Sequence, residues 1–88
     1  MRGVVVNSSG TPISGAVVYL KNMKTLSIRT YIAPSNGRYR FSGLDPNVDY
    51  EIHAEHENLI SQSHTISNFD SNPDIVIVLK VDRKRSSH

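Results

Sequence analysis

Between Ser35 and Tyr50 the chain reads SNGRYRFSGLDPNVDY, and this stretch limits the possible folds more than any other. Asn36-Gly37 tolerates the positive φ of a tight turn and is a strong hairpin signal. Arg38-Tyr39-Arg40-Phe41 then alternates charge with ring, the period of a strand with one wet face and one dry face. Ser42-Gly43-Leu44-Asp45-Pro46 breaks that strand and drops Leu44 toward the interior, and Tyr50 opens the next alternating run. Turns this close together, with two rings facing inward between them, mark where a β-core must close.

Alternation of the same kind recurs along the rest of the chain. Strands are expected at residues 1–6, 16–21, 26–32, 38–41, 48–57, 59–66 and 75–81, the sixth more polar and suited to an edge. In the second, Ala16, Val18 and Leu20 share one face, while Val17, Tyr19 and Lys21 share the other. In the third, Leu26, Ile28, Thr30 and Ile32 share a face, which turns Ser27, Arg29 and Tyr31 outward. In the fifth, Tyr50, Ile52 and Ala54 oppose Glu51, His53, Glu55 and Glu57. Residues 68–74, rich in Asn, Asp, Ser and Pro, read as a loop before the last strand. No window carries a helical period over the ten or so residues that a stable helix needs.

The reading is therefore all-β: seven short strands in two sheets, packed as a sandwich. With 88 residues there is room for one domain, over residues 1–81, followed by a basic flexible tail at 82–88. A chain of this length buries only about 60–65% of its extended surface. It has no cysteine, so neither disulfides nor thiolate zinc sites support that core. The net charge is +2, and Arg83-Lys84-Arg85 accounts for much of the basicity as a solvated run. A nucleic-acid partner is not expected, because phosphate binding needs many cations gathered on one folded face. Met1-Arg2-Gly3 leads straight into Val4-Val5-Val6, too short and β-branched for a secretory segment, and no apolar run is long enough for membrane insertion.

The ordered set Gly3, Val5, Asn7, Gly10, Pro12-Ile13, Gly15-Ala16, Val18, Leu20, Thr30, Asn36-Gly37, Tyr39, Phe41, Gly43-Leu44, Pro46, Tyr50 and Ile52 resembles the carboxypeptidase regulatory-like domain. That family has a transthyretin-like (prealbumin-like) fold, so the resemblance implies a seven-stranded, two-sheet Greek-key β-sandwich. It also implies a non-catalytic module without a cofactor, appended to secreted peptidases, outer-membrane receptors and other surface proteins. The setting so implied is periplasmic, cell-surface or secreted, and the partners are neighbouring domains or another protein. Structurally similar domains bind glycans, which makes a carbohydrate-binding module the alternative. The matched residues are turn formers and core positions; none is a functional group in itself.

Candidate sites come from the positions that the motif leaves out. Tyr19 and Tyr31, with Lys21 and Arg29 nearby, fall on expected outward positions of adjacent strands, where rings beside hydrogen-bonding groups can stack a sugar or anchor a partner. Val4, Val6, Val17, Val76 and Val78 would form a semi-continuous apolar interface if the first, second and last strands lie together. His53, His56 and His64, with Glu55 and Glu57, are the nearest approach to a metal cluster. His53 and His56 sit an odd number apart and face opposite ways, so they cannot share one ion unless a bulge intervenes; the outward row of His53, Glu55 and Glu57 lacks the convergent geometry of zinc even though His64 could join it, and no metal site is expected. Ser61, Ser63 and Ser67 flank His64, but adjacent strand residues face apart, and no catalytic residue is assigned. The hydroxyisourate hydrolases of the transthyretin-like group end in Tyr-Arg-Gly-Ser, a tetrapeptide missing from the Arg83–His88 segment here. Asn7-Ser8-Ser9 fits a glycosylation acceptor and, equally, plain turn chemistry.

Overall fold

The computed structural model describes residues 1–45, 47–66 and 76–84. Pro46, Ser67, the expected 68–74 loop, Ile75 and residues 85–88 lie outside the described residues. The fold is all-β, with eight strands among the described residues: β1 (Arg2–Val6), β2 (Val17–Asn22), β3 (Ile28–Ile32), β4 (Arg38–Arg40), β5 (Tyr50–His56), β6 (Leu59–Ser61), β7 (His64–Ile66) and β8 (Val76–Lys84). They follow one hydrogen-bonded path, β3-β2-β5-β6-β8-β1-β4, with β7 also on β5.

β8 bends that path into two facing layers. Its first half runs parallel to β1, from Val76 opposite Arg2 to Lys80 opposite Val6. Its second half is antiparallel to β6, where Ser61 faces Val81 and Ile60 faces Arg83. Asp82 is the extra residue of a β-bulge, the usual device by which a strand turns a corner between sheets. Val5, Tyr39, Leu79 and Val81 from one side thereby meet Val18, Leu20, Ile52 and Ala54 from the other in a single buried cluster. β8 runs on through Lys84, with Arg83 and Lys84 paired to Ile60 and Leu59, so residues 82–84 belong to this strand and not to the flexible tail expected from residue 82.

The extra strand comes from splitting the expected 59–66 segment. β6 pairs with the end of β5 and β7 with its start, leaving the Ala54 amide between them without a ladder partner. The buried Ser61 hydroxyl supplies one, accepting the Ala54 N–H at 2.8 Å and donating to the Gln62 carbonyl at 3.2 Å. Ser61→Ala orphans a buried N–H and is expected to lower stability by about 1–3 kcal/mol, read from urea unfolding with an unchanged m-value.

Asn36-Gly37 makes a turn, although not a hairpin. Gly37 donates to the Pro34 carbonyl at 2.9 Å, and Asn36 Oδ1 accepts the Arg38 N–H at 3.0 Å. The turn carries the chain from β3 in one layer to β4 in the other, where β4 pairs with β1. Gly37 has φ 71° and its Cα lies so close to the Val5 carbonyl that a Cβ would approach it to 2.7 Å. Only glycine combines that conformation with that approach.

The faces of β2 and β5 are as expected: Val18, Leu20, Tyr50, Ile52 and Ala54 are buried. β3 is reversed. Its register places Tyr31 opposite Val18 and Arg29 opposite Leu20, so Tyr31 and Arg29 share the core-side face and Ile28, Thr30 and Ile32 the outer one. Leu26 sits at φ 64° in the loop, which ends the expected 26–32 strand at Ile28 and resets which residues face which way.

Candidate functional site

The reversal of β3 separates the expected binding quartet. Tyr19 and Lys21 lie on the outer face of the β3-β2-β5 layer, whereas Arg29 and Tyr31 lie on its inner face at the edge. Tyr19 stacks on His53 instead, with centroids 5.0 Å apart and planes within 12°. Tyr31 meets Phe41 edge-on at 6.0 Å, and the Arg29 guanidinium donates to the Ser42 carbonyl at 2.9 Å. No single flat surface presents both tyrosines to a sugar.

The valine set divides as well. β1 and β8 are neighbours, and Val4 faces Val78 across them. Val76 and Val78 are 59% and 54% exposed, so a wet apolar strip does run along this outer face. Val6 lies beside it but is covered at 8% exposure, where it bridges to Pro12. Val17 belongs to the opposite layer, because β2 pairs with β3 and β5 and never with β1.

The histidines do not converge. His53 Nε2 lies 3.1 Å from Glu55 Oε2 on the outer face, while His64 pairs with Ile52 and so projects from the other face. Glu57, at φ 55°, is in the turn after β5 and leaves the outward row. Among the described residues no three His, Asp or Glu side chains are grouped to hold a metal ion. Ser63 and His64 are both exposed, and no base is placed against the Ser63 hydroxyl among the contacts described. Asn7 Oδ1 accepts the Ser9 and Thr11 amides at 2.9 and 3.0 Å, so its carbonyl holds the loop together.

What the fold gathers, and sequence reasoning passed over, is a cationic rim around the valine strip. Arg2 stands directly opposite Arg40, and Val4 opposite Arg38, so Arg2, Arg38 and Arg40 share the outer face with Val4, Val76 and Val78. Lys80 extends it beside Val6. A groove of about 660 Å³ opens here, lined by these arginines together with Val4, Val76, Tyr31 and Asn36. The Arg38-Tyr39-Arg40 alternation was visible in the sequence, but it reads as an ordinary solvated face until the β1 register brings Arg2 alongside. The result is a concentration of positive charge beside an apolar strip on one face of the sheet.

Residues 1–80, nearly the whole chain, match the family model of the carboxypeptidase regulatory-like domain. No curated protein matches the chain.

Proposed function

The chain belongs to the carboxypeptidase regulatory-like domain family, and from that footing we propose that it is a non-catalytic accessory module of a larger secreted or surface-associated protein, docking a neighbouring domain or protein partner. The observation that carries this reading is the strip of exposed Val76 and Val78 with half-buried Val4 within a cationic rim, since an apolar centre with a polar surround is the anatomy of a contact surface. The family supports the absence of catalysis, and the separation of His53 from His64 gives no competing chemistry.

Reading the complete frame that encodes the chain tests the proposal. Flanking domains are expected, and a frame holding this domain alone overturns it. Within the parent chain, Val78→Glu is expected to weaken docking about tenfold, equivalent to about 1.4 kcal/mol. The same variant should leave the unfolding free energy of the isolated domain within about 0.5 kcal/mol, because the side chain is mostly wet. Hydrogen exchange over β1 and β8, compared between the isolated domain and the parent, reads the docking directly.

A further inference from the structure

We propose that the open edge of β4 captures an acidic, extended segment of the partner polypeptide as an added strand, with Arg38 and Arg40 selecting its charge. The inference rests on the module reading and names the chemistry of what docks.

The hydrogen-bond phase of β4 leads to it. Val5 donates to the Gly37 carbonyl at 2.8 Å and Phe41 to the Met1 carbonyl at 2.9 Å. Residues 37, 39 and 41 therefore turn their backbone toward β1, and Arg38 and Arg40 turn theirs away from it. Among the described residues β4 ends the strand path and pairs with β1 alone. The Arg38 N–H is taken by Asn36 Oδ1. The Arg38 carbonyl and both backbone groups of Arg40 have no bond among the described residues, a row that an incoming strand would complete.

The side chains state which strand. In an added strand, residues opposite Arg38 and Arg40 share their outer face, and neither guanidinium has an ion-pair partner among the described residues. Carboxylates there would pair with the Arg38 and Arg40 guanidinium groups. Alternate residues would turn toward Tyr31, which is 37% exposed and lines the same groove. A second copy of β4 would set arginine against arginine, so the pair that accepts an acidic segment rejects self-pairing. A sugar chain or nucleic acid could meet the charge, but neither supplies the regular N–H and C=O groups that the edge leaves open.

The test uses the ¹⁵N-labelled chain and a capped octapeptide of alternating Glu and Val. Saturable shifts along β4 and slowed exchange of the Arg40 amide hydrogen are expected. Replacing each Glu of the peptide by Gln should weaken binding at least tenfold. Methylating the glutamate nitrogens, which keeps the charge and removes the pairing donors, should do the same. Arg38→Glu and Arg40→Glu should each lose at least tenfold while the thermal unfolding midpoint shows the domain still folded. Equal binding of the methylated peptide, unchanged Arg40 exchange, tighter binding of a heparin fragment or an oligonucleotide, or no binding at all would each overturn strand addition. If that happens while Val78→Glu still weakens docking in the parent chain, only this inference is lost. Loss of both removes the module reading as well.

Discussion

Gly3→Ala is expected to destabilise the domain by about 3 kcal/mol or more, although alanine adds a single methyl group. Gly3 sits in the middle of β1, between Tyr39 on β4 and Ile77 on β8. A Cβ built there would lie far inside contact distance of the Ile77 carbonyl oxygen, 2.5 Å from the Tyr39 hydroxyl and 2.7 Å from its ring. Nothing nearby can yield cheaply: the carbonyl belongs to the parallel ladder, and the ring is packed in the core. Glycine serves here by leaving space. Urea unfolding checks the magnitude, and the cost should shrink by about 1–2 kcal/mol in a Tyr39→Ala background, because the two sites are in contact. A residual cost should persist, since the Ile77 carbonyl still opposes the added methyl group. A Gly3→Ala protein as stable as the parent would mean that β1 does not lie between these two partners.

Tyr39→Ala should cost about 3–5 kcal/mol, the range for emptying a large aromatic site in a core. The ring is 2% exposed, sits 6.2 Å from Phe41, and lies across the space that Gly3 vacates. Its hydroxyl reaches past β1 to donate to the Ile77 carbonyl at 2.6 Å, linking the two strands that flank β1. Tyr39→Phe keeps the packing and loses that bond, so about 1 kcal/mol is expected. Burial raises the Tyr39 phenol well above its ordinary pKa, since the phenolate would lose its hydration. The folded state therefore holds this proton more tightly than the unfolded state does. The stability tied to it is complete below about pH 10 and falls as pH rises from there toward the raised value. Tyr39→Phe should flatten that alkaline decline, which denaturation midpoints between neutral pH and about pH 11 would show.

Most of the architecture was legible in the sequence, and the failures have identifiable causes. The inward rows of β2 and β5 were readable because each strand is central in its layer, with the opposing layer above it, so hydrophobicity and burial coincide. β3 is exposed at all five positions. At such an edge neither face is fully covered, the apolar row carries no information about direction, and the hairpin loop decides the register. Leu26 in a left-handed conformation moved that register, and with it Tyr31 went to the face opposite Tyr19. The split of the sixth strand was hidden for a different reason. Ser61 looks like any polar edge residue until its hydroxyl is seen standing in for a missing backbone partner.

The candidate site was legible only in pieces. The alternation of residues puts Val4, Val76 and Val78 on outward positions and Arg38 and Arg40 on a wet face, but nothing local joins them. Their union depends on β1 pairing with β8 and β4, contacts between residues more than thirty positions apart.

Turn chemistry and two-residue alternation are properties of neighbouring residues. The sequence by itself therefore determined that the chain is all-β, where it bends, and which side chains of its central strands go inside. Pairing is a property of distant residues, and a strand's free energy depends on who lies beside it. Only the tertiary structure decided that Tyr39 would reach over Gly3 to β8, that Tyr19 and Tyr31 would part, and that Arg2, Arg38 and Arg40 would come together on one face.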